Sequence, residues 1–233
     1  PLSPPLALRR RRWHGQLMLK DRVLFIDGEA LVIDKPAGLP VDRPRDRSES
    51  LEDLLGDLTF GFQRLPVPVH RLDRDTSGCL LLARNPKALK RFAQAFETGA
   101  VTKRYLAILE GVPAQESGTI DLPLAKVSTR EEGWRMIGDA KGKPSITRYR
   151  VMERKDGKSL VAFYPETGRT HQIRVHAAEG LGTPVMGDPV YGRGGPAMML
   201  HAIELTVPRD GKPDIHATAP LPVRFHNMGF GRG

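Results

Sequence analysis

One cysteine, Cys79, stands in a chain of 233 residues, so no intrachain disulfide can form and a small secreted scaffold stapled by disulfides is excluded. Long apolar runs are missing as well, and none reaches the length of a bilayer span. The arginines at 9 to 12 do not open a signal peptide, because Trp13, His14, Gly15 and Gln16 and then Lys20, Asp21 and Arg22 stand where about 7–15 apolar residues are required. Neither a glycine-rich phosphate loop of the P-loop or dinucleotide type nor an H-E-x-x-H pattern occurs. Acids are in deficit: 36 Lys and Arg against 27 Asp and Glu leave a formal charge of +9. With 39% hydrophobic and 27% charged residues the chain has the makings of a packed core, which rules out disorder and membrane burial as general descriptions. A reducing, cytoplasmic setting is expected, and a polyanionic partner. Nucleic acid ranks ahead of acidic lipid, since no amphipathic or hydrophobic anchor accompanies the charge.

Residues 1–22 form a Pro/Leu-rich and then basic opening, expected to be flexible. Val23 to Ile26 and Ala30 to Ile33 flank Asp27-Gly28, a strong hairpin signal. Asn85, Pro86 and Gly99 bracket the clearest helix, with Leu89, Phe92, Ala93 and Phe96 predicted as its apolar stripe. Cys79 to Ala83, Tyr105 to Leu109, Ser145 to Val151, Leu160 to Tyr164, Gln172 to Ala177 and Ile203 to Val207 read as strands. Many strands and few helices, not in strict alternation, predict an α+β fold: a single domain over 23–222 with a central mixed, largely antiparallel sheet flanked by helices and loops, and a tail over 223–233.

Two polar clusters stand out. The first, His70-Arg71-Leu72-Asp73-Arg74-Asp75-Thr76-Ser77-Gly78, lies before a buried strand, where a fold presents reactive groups without unpairing its own backbone. The second runs from Thr167 to His176. Read as extended chain, it puts Gln172, Arg174 and His176 on one face, and an arginine on an inner strand needs an anionic partner, either an Asp of the first cluster or a phosphate. A metal site on His171 and His176 is disfavoured by their odd separation and the lack of a supporting ligand pattern. Ser77 lacks the G-x-S-x-G elbow of a nucleophilic serine. A carboxylate acting at a sugar or a base remains.

Together the clusters resemble the RluA-type pseudouridine synthases, which isomerise selected uridines in RNA. The resemblance continues in VIDKPAGLPV at 32–41, KRYLAILEG at 103–111, GKPSITRYRV at 142–151, TGRTHQIRVHAA at 167–178, GDPVYG at 187–192, MLHAIEL at 199–205 and TAPLP at 218–222. It implies that 23–222 is a pseudouridine synthase catalytic domain with Asp73 as catalytic carboxylate, Tyr105 as active-site tyrosine and Arg174 as the arginine paired with Asp73. Arg71 matches the residue that enters the RNA helix when the target base is extruded. His70, Arg74, Thr76, Arg169, His171 and Gln172 are expected to contribute to RNA binding. The chemistry it implies requires no metal or other cofactor, and a structured ribosomal or transfer RNA stem-loop is the expected partner; no membrane partner and a monomeric state are expected beside it. Two rivals stand beside it: a non-catalytic RNA-binding protein on the same scaffold, and a nucleoside or glycoside hydrolase using Asp73 and Asp75 as a carboxylate pair.

Overall fold

A computed structural model describes residues 18–129 and 133–231. The arginines at 9 to 12 lie outside the described residues. The fold opens on strands β1 (Val23–Ile26) and β2 (Ala30–Lys35), paired antiparallel around the expected turn, in which the Asp27 carboxylate accepts the N–H groups of Glu29 and Ala30, each at 2.8 Å. A short helix α1 (Leu51–Leu54) follows, its first turn closed by a reciprocal cap between Ser50 and Asp53. Strands β3 (Val67–Pro68) and β4 (Ser77–Ala83) lead into helix α2 (Pro86–Glu97). The Asn85 side chain accepts from Ala88 N–H at 2.9 Å, and Gly99 ends the helix with φ 74°.

Next come β5 (Thr102–Leu109), β6 (Ser117–Asp121), β7 (Leu124–Thr129), β8 (Gly133–Gly138), β9 (Ile146–Lys155) and β10 (Lys158–Pro165). The short helix α3 (Gln172–Val175), β11 (Leu200–Val207), β12 (Ile215–Thr218) and α4 (Val223–Asn227) complete the chain. Ten strands form one sheet in the order β1-β2-β4-β11-β5-β10-β9-β6, with β12 added on β11 and β3 on β4. Only the β4–β11 pair among these is parallel. β7 and β8 pair with each other and stand off the main sheet as a hairpin arm. The α+β fold with a mixed, largely antiparallel sheet is thus the one the chain adopts.

Alternation along β4 explains the two-sided burial. Cys79, Leu81 and Ala83 meet α2 through Ala88 and Phe92, while Leu80 and Leu82 meet Leu51, Leu55 and Leu58 on the opposite face. Cys79 sits inside, its thiol pushed up to about 12 by burial, and is an inert core residue. Gly78 ends the first polar cluster for a steric reason: its φ is 109°, and a Cβ there would stand 2.1 Å from the Ala202 carbonyl oxygen. Only glycine lets β4 start against β11 at this point.

Four expectations need correction. Ala93 faces solvent, and the stripe of α2 runs through Ala88, Leu89, Phe92, Ala95 and Phe96, because Ala93 lies one helical step off the line joining Ala88, Phe92 and Phe96. Gln172 to Ala177 is helical, not a strand. Every residue from Gln172 to Ala177 is buried, so no alternation exists. Ile173 and Ala177, one helical turn apart, enter the same core cluster, while Val175 meets Leu124 and Met136. Short, wholly buried runs carry no period that separates helix from strand. The segment read as a C-terminal tail also belongs to the core, since Phe225 and Phe230 are buried against Leu106, Ile108, Leu160 and Ala162. Likewise Leu19, placed in the opening segment, packs with Leu55 and Leu58. Among the described residues no helix is long and apolar enough to cross a membrane.

Candidate active site

The loop before β4 and the helix α3 converge on Asp73. Its Oδ2 accepts a hydrogen bond from Arg174 Nη1 at 3.1 Å, and His171 Nε2 lies 3.9 Å away. Within the loop, Thr76 N–H donates to the Asp73 carbonyl at 3.1 Å, a turn that fixes the carboxylate's backbone. Lys35 at the end of β2 holds the same loop from beneath. Its buried ammonium donates to the carbonyls of Pro36 at 2.9 Å, Leu39 at 2.8 Å and Arg74 at 2.9 Å. Burial lowers the Lys35 pKa to about 7, against the opposing fields of Asp75, Asp73 and Asp34.

Arg174 is almost wholly buried and divides its donors between two carboxylates. Nε and Nη2 donate to Asp188 Oδ2 and Oδ1 at 2.6 and 2.8 Å, leaving Nη1 for Asp73. Burial alone would favour loss of its charge, but the bonds to Asp188 and the field of Asp73 outweigh that and raise its pKa. Asp188 is completely buried and itself anchored, its Oδ1 also accepting from Val190 N–H at 2.9 Å and Tyr191 N–H at 3.1 Å. Burial would raise its pKa, yet the Arg174 pair and these backbone donors bring it below the usual carboxylate range. Asp188 belongs to the GDPVYG block at 187–192, and sequence reasoning did not single it out. The signal was available, because a buried arginine needs its charge and donors matched.

His171 opens α3 in the left-handed region, φ 54°. That turn brings its ring between Trp134 on β8, stacked at 5.1 Å, and Tyr191, edge-on at 5.6 Å. The Tyr191 oxygen accepts Met136 N–H at 2.9 Å and stands 2.8 Å from His171 Nδ1. Where the Tyr191 hydroxyl donates to Nδ1, the neutral imidazole carries its own proton on Nε2, facing Asp73. Burial lowers the His171 pKa, with Asp73 opposing, which favours that neutral form. Tyr191 also lines a cleft of about 240 Å³ with Arg135, Ala178, Glu179 and Val190.

Tyr105 on β5 packs between two core clusters, within the field of the Asp73 carboxylate. Burial raises its hydroxyl pKa and the Asp73 charge adds to the rise, so it stays a neutral phenol. Ala107 and Leu109 follow it on the same strand face, as the alternation predicts.

The other expected binding residues divide. Arg71 is 77% exposed and pairs with Asp42 at 2.7 Å; Arg74 is exposed and pairs with Asp75 at 3.2 Å. Arg169 donates to the Pro144 carbonyl at 3.2 Å from an exposed position. Thr76 is buried in the loop turn. His70 is turned away from the centre, its Nε2 accepting Leu81 N–H at 3.1 Å while its ring stacks on Phe96 at 4.5 Å. Gln172 is spent internally: its oxygen accepts from Thr167 Oγ1 and Arg169 N–H, and its nitrogen donates to Ile146 O and Thr147 Oγ1. His176 is held the same way, by Thr147 at 2.9 Å and the Leu122 carbonyl at 3.0 Å. Both residues brace α3 against β9. Among the described residues no group of three or more His, Cys, Asp or Glu side chains is placed to hold a metal ion.

Comparison with known proteins fits this geometry. Residues 29–179 match the family described as RNA pseudouridylate synthase. The chain is 58% identical over 217 residues to an uncharacterised RNA pseudouridine synthase of Zymomonas mobilis, covering 91% of this chain and 99% of that one. It is 36% identical over 178 residues to the ribosomal large subunit pseudouridine synthase D of the same organism, covering 73% of this chain and 56% of that one. Among solved structures, human RNA pseudouridylate synthase domain containing 4 superposes with a TM-score of 0.76 at 26% identity, over 89% of this chain and 91% of that one.

Proposed function

The chain belongs to the RNA pseudouridylate synthase family and isomerises uridine in RNA, and on that premise we propose that Asp73 is the carboxylate that performs the isomerisation. The reaction breaks the bond between uracil N1 and ribose C1′, turns the base, and joins C5 to C1′. C5 gives up its proton and N1 gains one, so no redox equivalent and no external energy are consumed. A carboxylate at the base–sugar junction serves as nucleophile or base in the detachment. The observation that carries this assignment is the 3.1 Å bond from Arg174 to Asp73, made by an arginine whose other donors are locked on buried Asp188. Such a fork holds Asp73 at a fixed place and presents a permanent positive charge opposite it.

The remaining parts follow from where they stand. Tyr105 offers a flat ring for the extruded uracil, because bases taken out of a stack are held against aromatic faces. Arg71, whose surface ion pair with Asp42 is weak, exchanges that partner for RNA and fills the place the base has left. Arg74 and Arg169, both exposed, contact phosphates. The hydrolase reading is disfavoured by the family to which the chain belongs, whose named relatives are RNA pseudouridine synthases, and buried Asp188 is closed off behind Arg174. The substrate is a stem-loop of ribosomal or transfer RNA, and the large-subunit specificity in the name of the Zymomonas mobilis relative favours the ribosomal one. The enzyme acts as a cytoplasmic monomer.

Arg174→Ala tests the assignment. Turnover is expected to vanish while RNA affinity stays within a few-fold of wild type, measured by hydrogen release from uridine C5 and by filter binding. Unchanged turnover would remove Arg174, and the geometry built on it, from the reaction.

A further inference from the structure

The β7–β8 arm carries an indole that packing does not explain. On the face of the arm turned to α3, Met136 is buried against Val175 and secures the contact. Trp134, two residues earlier on that face, remains 48% exposed. Its ring stacks on His171 at 5.1 Å, and His171 in turn faces Asp73 at 3.9 Å, so the indole stands one ring away from the reacting carboxylate. The Lys126 ammonium, on the neighbouring strand of the arm, lies over the indole ring at 4.9 Å from its centroid, so a base stacking there displaces it toward the nucleotide's phosphate.

We propose that Trp134 is a stacking platform for an unpaired nucleobase adjacent to the target uridine, with Lys126 taking the phosphate of that nucleotide. This rests on the reading of Asp73 as the reacting centre and adds to it a determinant of which RNA is accepted. A half-exposed indole that already holds a cation over its ring is the kind of pairing that holds single-stranded nucleic acid, since every base has a face to stack and every nucleotide a charge to neutralise. The arm is tied where such a platform must be fixed. Tyr191 accepts from Met136 N–H and holds His171 Nδ1, and Glu179 accepts Gly138 N–H at 2.8 Å, so the indole's distance to the reacting centre is set by the same groups that set the centre. A uridine in continuous duplex would have no free neighbour to offer. The platform therefore selects uridines in loops, bulges or opened stems.

Two measurements test this. In a Trp13→Phe background Trp134 is the one indole left, the sequence having two. Its fluorescence is expected to be quenched by a single-stranded decauridylate and not by an abasic ribose-phosphate decamer of equal charge. Turnover of pooled unmodified ribosomal and transfer RNA by Trp134→Leu, which removes the ring at a half-exposed position and keeps an apolar side chain, is expected to fall in kcat/KM by roughly 5- to 150-fold, the range of one lost base–aromatic stack. Trp134→Phe restores most of it. Equal quenching by both decamers, or wild-type kcat/KM in Trp134→Leu, overturns the proposal. The titration needs no turnover, so Trp134 is judged separately from the assignment of Asp73.

Discussion

Arg174 is shared between two carboxylates, and the division decides what each substitution does. Removing Asp188 with Asp188→Ala leaves a buried guanidinium with its single bond to Asp73 and two donor groups unmatched, and costs about 3–5 kcal/mol of stability, as for other broken buried pairs. Asp188→Asn keeps the shape and one acceptor, so it is expected to fold more stably than Asp188→Ala but to turn over slowly, since Arg174 then swings toward Asp73. Urea unfolding and C5 hydrogen release measure the two effects; equal stability of wild type and Asp188→Ala would contradict the role given to the pair. The motifs single out Asp73, Tyr105 and Arg174, and the structure brings Arg174 onto Asp73. Asp188 and Lys35 were not, although both lie inside quoted motifs, because what makes them matter is full burial opposite a charge or a carbonyl cluster, and burial is set by residues far along the chain. For His70 and Gln172 the converse holds: both sit in conspicuous polar clusters, and both turn out to serve the scaffold.

At the level of elements, local chemistry read well and buried segments read poorly. Asn85, Pro86 and Gly99 fixed α2 to within a residue, and Asp27-Gly28 fixed the first hairpin, since caps and turns are made by the residues that signal them. Gln172 to Ala177 was misread because its residues are buried on every side, and β7 and β8 went unread because their strands alternate weakly and pair away from the main sheet. The joint between β4 and α2 yields a pH prediction. His70 is wedged there between Leu81 N–H and the Phe96 ring, and burial, with help from Lys103, lowers its pKa from 6.5 to about 3. The unfolded chain therefore takes up this proton first, and stability present above pH 6.5 is lost as pH falls toward 3. His201, lowered to about 3 chiefly by burial, acts in the same direction. Thermal midpoints should drop from pH 6.5 to pH 4, and His70→Leu, less stable at neutral pH, should show a shallower drop. An identical slope in the variant would contradict this account.

Over the whole molecule, the excess of nine positive charges and the exposed Arg71, Arg74, Arg169 and Lys126 make RNA binding an ion-exchange reaction. Affinity for RNA is expected to fall at least about tenfold between 50 and 200 mM salt, with the same slope in wild type and in Asp73→Asn, because phosphates and not the reacting carboxylate release the counterions. A flat salt profile in a filter-binding titration would contradict that. The central claim is chemical, and one experiment meets it directly: release of tritium from RNA labelled at uridine C5, with unmodified ribosomal and transfer RNA in separate pools, by wild type and Asp73→Asn. Wild type is expected to release tritium without free uracil from at least one pool, and Asp73→Asn to fall by about 10²–10⁴-fold or more while still binding that RNA. Release by Asp73→Asn at the wild-type rate, or free uracil in place of pseudouridine, would contradict the account.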